Sequence, residues 1–112
     1  MAVHQQHPGD TRRPARLIAD LADHVAGIEG PVVVAGDLNA NDRGVGYRTM
    51  VIDGRLRDAI RTGWASTTSL KWWPLLLRID HILTRGMCSA DADDVMLPGS
   101  DHRGLVVAIG SC

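Results

Sequence analysis

Apolar residues recur along residues 12–28 at the spacing of one helix face. Leu17, Leu21, Val25 and Ile28 form a stripe, Ile18 and Ala22 widen it, and Arg16, Asp20 and Asp23 lie off it. The pattern predicts an amphipathic helix from Arg12 to about Ala26, with Thr11 as N-cap, Pro14 in the first turn and Gly27 and Gly30 ending it. His24 falls on its solvent side. The period then changes. Residues 32–35 are a continuous apolar run rich in β-branched side chains, bounded by Pro31 and Gly36, which predicts a short strand covered on both faces. A polar segment, Gly36-Asp37-Leu38-Asn39-Ala40-Asn41, follows directly. Residues 45–52 predict a short helix stopped by Gly54, and residues 56–60 a further helical turn. Residues 62–74 show no period and read as a long loop. Beyond it, residues 75–83 predict a strand with Asp80 and His81 inside it, residues 93–97 a shorter strand, and residues 105–109 a final one. Residues 98–104 form a compact polar turn between the last two. Residues 1–4 read as the tail of a strand, so the chain is expected to begin within a fold.

Composition narrows the class. At 112 residues the chain is one domain at most, and a chain of this size buries roughly two-thirds of its unfolded surface. Hydrophobic and charged fractions of 45% and 22% are those of a globular protein, which sets disorder aside. There is no Phe, so core volume falls to Val, Leu, Ile and Ala, with Tyr47, Trp64, Trp72 and Trp73 as the large rings. The tryptophans either pack beneath the long loop or stack on a ligand. A net charge of −1 excludes a general electrostatic grip on nucleic acid. A local phosphate site stays open, because every basic residue except Lys71 is Arg. Cys88 and Cys112 are too few and too far apart for a metal-binding spacing, and are expected as free thiols. No apolar run approaches the ~18 residues of a membrane span, and no signal peptide is visible, so the default expectation is a cytoplasmic protein.

Three polar clusters carry the candidate chemistry. Asp37 and Asn39, at i and i+2, point the same way if the pleat persists, at the strand end where open α/β sheets place ligands. The alternative is an ordinary Gly/Asp/Asn turn. Asp80 is a carboxylate inside a Leu/Ile strand and needs a partner. Arg78 at i−2 offers a local ion pair. His102 offers something more useful, since a carboxylate on one imidazole nitrogen fixes the tautomer and orients the ring as an acid or base. His81 points to the opposite face from Asp80 and is expected to be structural.

Taken in order, Gly36-Asp-Leu-Asn39, Arg78-Ile-Asp-His-Ile82 and Gly99-Ser-Asp-His102 make the chain resemble the C-terminal half of the endonuclease/exonuclease/phosphatase superfamily. These are metal-dependent phosphodiesterases that share the pancreatic deoxyribonuclease fold, and the likeness runs over about residues 4–109. The fold class it implies is α/β: the C-terminal half of a four-layer α/β/β/α sandwich, one mixed β-sheet with helices on its outer face, in a single partial domain. The implied roles are as follows. Asp37 orients or deprotonates the attacking water, and Asn39 holds it together with a phosphate oxygen. Asp80 pairs with His102, which contacts the scissile phosphate. Asp37, Asn39 and Asp101 lie at the metal, expected as Mg²⁺ or Mn²⁺. His4, with His7 as a competitor, matches a histidine that helps protonate the leaving group.

The same resemblance implies a phosphate-ester substrate, whether nucleic acid, phospholipid or sugar phosphate. Nucleases, sphingomyelinases and inositol-phosphate phosphatases share this core. It also implies a metal-binding Glu and a second catalytic Asn in an N-terminal half that has no counterpart among these residues. Two expectations therefore stand side by side. The chain is a hydrolase that pairs with itself or with another half, or it is a non-catalytic half-domain or interaction module whose motifs are idle.

Overall fold

A computed structural model describes residues 2–4, 12–38, 44–60 and 80–112. Its elements run β1 (Ala2–His4), α1 (Arg12–Ala26), β2 (Val32–Asp37), α2 (Val45–Ile52), β3 (Arg57–Asp58), β4 (Asp80–Arg85), β5 (Cys88–Val95) and β6 (Gly104–Gly110). The first four strands make a mixed sheet in the order β1-β2-β4-β3. β1 is parallel to β2, and β4 runs antiparallel to both β2 and β3. The α/β class is as the sequence implies, with one difference: among the described residues β5 and β6 form a separate two-stranded ladder. Ser89 joins that hairpin to the sheet by donating its hydroxyl proton to the Ala59 carbonyl at 2.8 Å.

The helices cover one face of the sheet. Residues opposite one another in a ladder share a face, so the pairing of Val34 with Leu83 puts both against the helices, while Ala35 with Ile82 and Asp37 with Asp80 face the other way. Burial follows this alternation. Val32, Val34 and Leu83 join Ile18, Ala22, Val25, Leu38, Met50 and Leu56 in the core, whereas Val33, Ala35 and Ile82 are half-buried. β2 is thus closed on one face and only partly covered on the other, not sealed on both as its composition suggests. Each core Leu or Val contributes about 1.5–3 kcal/mol.

α1 has the expected limits, but its buried stripe is turned. Ile18, Ala22 and Val25 are buried and Leu21 and Ile28 partly so, while Leu17 is 55% exposed. Positions 18, 22 and 25 fit i, i+4, i+7 as well as the stripe beginning at 17 does, and only contact with β2 and α2 selects between them. His24 is exposed, as expected.

α2 also matches its predicted limits, yet its stop differs in kind. The Leu56 N–H bonds the Val51 carbonyl at 3.1 Å and the Arg55 N–H bonds that of Ile52 at 3.3 Å, a Schellman closure with Arg55 left-handed at φ 55°. Gly54 is required for space: a Cβ there would lie 2.5 Å from the Met50 carbonyl oxygen. The chain then leaves in extended form. Residues 57–58 pair with Thr84 and Leu83, so the helical turn expected over 56–60 is a strand. The edge of β4 was available for pairing, and the apolar spacing of Leu56 and Ile60 does not reveal that.

The two cysteines are not free thiols. Cys88 and Cys112 form a disulfide with their Cα atoms 5.0 Å apart. The β5–β6 register sets Cys88 opposite Gly110, which brings the chain's last residues alongside the start of β5. Disulfides persist in oxidising compartments, so this bond lends no support to the cytoplasmic default. Among the described residues no helix is long and apolar enough to cross a membrane.

Candidate functional site

Three strand ends converge because of strand direction. β1 and β2 run in parallel and finish level with one another, His4 in register with Asp37. β4 runs the other way, so it begins where β2 ends, and Asp80 stands opposite Asp37 on the face turned away from the helices. His102 arrives from the turn between β5 and β6. That turn is written in its residues. Pro98 and Gly99 occupy its centre, Gly99 has φ 83°, and the Ser100 N–H closes it on the Leu97 carbonyl at 3.1 Å, the signature of a type II turn. The Ser100 hydroxyl then accepts the His102 N–H at 3.1 Å. Arg103 pins the far side through an ion pair with Asp94 at 2.9 Å.

The result is a compact polar group. His102 Nδ1 lies 2.6 Å from Asp80 Oδ2, the pairing raised from sequence for Asp80. One ligand-capable atom from each of Asp37, Asp80 and His102 falls within 4.8 Å of the others. All three residues are half-buried. Asp101 stands apart from that trio. Its side chain is 60% exposed and approaches the other ring nitrogen of His102, at 3.8 Å from Nε2. Asn39, Arg78, His7 and the three tryptophans lie outside the described residues. His81 is turned to the opposite face as expected, 2% exposed, with its ring 4.9 Å from that of Tyr47. The Tyr47 hydroxyl in turn donates to Asp58 at 2.9 Å.

Electrostatics at the site favour a charged imidazole. Burial is the largest single influence on His102 and pulls its pKa down. The hydrogen bond to Asp80, with the attraction of Asp80, Asp37 and Asp101, outweighs it and holds the pKa above the ordinary 6.5. A proton bound more tightly in the folded state stabilises that state. Its contribution is full below pH 6.5 and is lost as pH rises through the raised value. In metal-free protein, imidazole titration by ¹H–¹⁵N NMR is expected to place His102 above 6.5, and Asp80→Asn is expected to lower it. A wild-type midpoint at or below 6.5 contradicts this balance of forces.

The donor set suits a hard cation. Asp37 and Asp80 offer carboxylate oxygens a few ångströms apart, the ligand type that Mg²⁺ and Mn²⁺ favour. His102 fits a cation less well, because its Nδ1 is already committed to Asp80. Arg103, which holds the far side of the His102 turn, was not singled out from the sequence, and Ser100 was named there only as a member of the Gly99-Ser-Asp-His102 motif, without a role. The Leu97-Pro-Gly-Ser100 turn signal marks Ser100, but nothing local marks the pairing of Arg103 with Asp94.

Comparison with known proteins places the fold. A profile described as the Endonuclease/Exonuclease/phosphatase family matches residues 4–102. No curated protein matches the chain. Among solved structures, a mannosyl-6-phosphatase from Bacteroides thetaiotaomicron VPI-5482 is similar with a TM-score of 0.67 at 21% identity, over 97% of this chain and 49% of that one. A functionally unknown conserved protein from Enterococcus faecalis V583 has a TM-score of 0.66 at 21% identity, over 98% and 48%. A beta toxin from Staphylococcus aureus has a TM-score of 0.61 at 18% identity, over 99% and 51%. At these identities the likeness is one of fold. The chain spans about half the length of each of these structures.

Proposed function

We propose, from the premise that this chain belongs to the endonuclease/exonuclease/phosphatase family, that Asp37, Asp80 and His102 form the phosphate side of a divalent-metal-dependent phosphate-ester hydrolase. The observation that carries the reading is the 2.6 Å bond between Asp80 and His102 beside the Asp37 carboxylate. Three sequence motifs separated along the chain meet at that one place.

Each residue has a task that its chemistry allows. Asp37, with Asn39 two positions on, orients the attacking water and takes up its proton. Asp80 holds His102 Nδ1, which fixes the ring and leaves Nε2 to donate to a phosphate oxygen as negative charge develops there. Asp101, near Nε2, helps keep that imidazole protonated. His4, whose backbone is in register with Asp37, is the residue proposed to support the leaving oxygen. Asp37, Asn39 and Asp101 are the donors proposed for Mg²⁺ or Mn²⁺, with the Asp80 carboxylate close enough to Asp37 to join them; the cation when bound would neutralise charge on the phosphate. Phosphodiesters and phosphomonoesters both fit this machinery. The likeness to a mannosyl-6-phosphatase puts sugar phosphates among the substrates to try, beside nucleic acid and phospholipid.

The test is turnover of bis-p-nitrophenyl phosphate and p-nitrophenyl phosphate with Mg²⁺, with Mn²⁺ and with EDTA. Turnover is expected with metal, abolished by EDTA and strongly reduced by Asn39→Ala. Folded protein with no metal-dependent turnover of either ester would leave the motifs idle in this chain and refute the proposal.

A further inference from the structure

A second polar site lies at the opposite end of β4. Asp80 begins that strand and Arg85 ends it, which separates the two ends by about 17 Å at the usual rise per residue. Around Arg85 is a cavity of about 330 Å³ lined by Arg55, Arg57, Arg85, Gly86, Met87 and Cys112. Among its described lining residues three carry guanidinium groups and none has an acidic side chain. Among the described residues no carboxylate forms an ion pair with any of the three.

The arginines differ in how they are held. Arg85 is fixed, donating to the carbonyls of Gly54, Val25 and Ile28, so its position is set without neutralising its charge. Arg57 projects from the edge strand β3, and Arg55 from the end of α2. Arg55 is the more telling. It occupies a left-handed φ of 55° that glycine takes without cost. An unbranched, charged side chain there strains the backbone locally while adding a third positive group to the cavity wall. Like charges gathered in one cavity wall repel, and an anion bound among them removes that repulsion. Arginine recognises tetrahedral oxyanions through paired N–H donors.

We infer that this cavity is an anion-binding site for a phosphorylated small molecule, distinct from the Asp37–Asp80–His102 group and independent of the role proposed for it. Gly86 and the disulfide-bonded Cys112 also line it, and a volume of about 330 Å³ admits more than a single phosphate.

The experiment uses inorganic pyrophosphate as the probe, titrated into EDTA-treated protein at constant ionic strength, with NMR detection of the arginine Nε–H signals and the Gly86 and Met87 amides. Without metal, the acidic group at the other end of β4 repels the probe, which keeps the two sites apart. Saturable shifts are expected at Arg55, Arg57, Gly86 and Met87. Arg55→Gly and Arg57→Gln are each expected to weaken binding by at least tenfold. Arg55→Gly also relieves the left-handed strain, so its loss of binding is not a loss of fold, and its unfolding midpoint is expected to rise. Shifts that stay linear in pyrophosphate, that sodium chloride reproduces, that persist in both variants or that gather at His102 would each overturn the inference.

Discussion

His102→Ala is expected to lower kcat for a metal-supported phosphodiester substrate by about 10²–10⁴, the usual contribution of one positioned acid or base. The reason lies in the Asp80 contact at 2.6 Å, which occupies Nδ1 and leaves Nε2 for the role proposed at the phosphate. Asp80→Ala should then act through His102. Its own loss is expected to be smaller, and the double variant should be no slower than His102→Ala alone, because residues that work as one unit are not additive. Steady-state kinetics on the four proteins, each checked for native circular dichroism, measure this coupling. Losses that simply multiply would show Asp80 and His102 to be independent, and would remove the central pairing from the mechanism.

Arg85→Ala carries the largest expected effect on stability. One guanidinium serves the carbonyls of Val25 and Ile28 at the end of α1 and that of Gly54 after α2. These carbonyls lie where the helices stop, and that of Val25 also accepts the Ile28 N–H at 3.1 Å. Hydrogen bonds from a charged donor contribute about 1.5–3 kcal/mol each, discounted here because Arg85 is only half-buried. The expected loss is about 3 kcal/mol, which for a domain of this size lowers Tm by more than about 10 °C. Arg85→Met, which keeps the apolar stem, should recover little of it, since the lost element is the donor set. Urea and thermal unfolding decide the matter. A loss below about 1 kcal/mol would mean that water serves those carbonyls equally well.

Much of the architecture was legible because it is locally encoded. The limits of α1 and α2 follow from apolar spacing and from glycines and prolines at their ends, and β2 and β6 follow from short apolar runs between turn residues. β3 was misread as helix because two residues at a sheet edge carry no period of their own. Of the apolar face read along α1 only Leu17 proved exposed, since Leu17 and Ile18 are equally apolar and tertiary contact chooses Ile18. At the site, the three motifs and the pairing of Asp80 with His102 that the resemblance implies were readable, whereas the strand register that sets Asp37 opposite Asp80 was not. Asp101 shares a motif with His102, yet its side chain sits beside the far ring nitrogen, outside the group formed by the other three.

By itself, then, the sequence determined the limits of α1 and α2 and the apolar runs of β2 and β6, which family motifs are present and in what order, and that Asp80 needs a partner, with His102 the one the family resemblance implies. Tertiary structure decided how the partners are brought together. The antiparallel run of β4 against β2 sets Asp37 beside Asp80 and sends Arg85 to the opposite end. The hairpin register joins Cys88 to Cys112 and delivers His102 to Asp80. The physical reason is range. Periodicity, capping and turn chemistry act over a few residues and leave their mark in local order. Ladder register, disulfide pairing and the convergence of charges depend on contacts between segments far apart in the chain, and these exist only once it has folded.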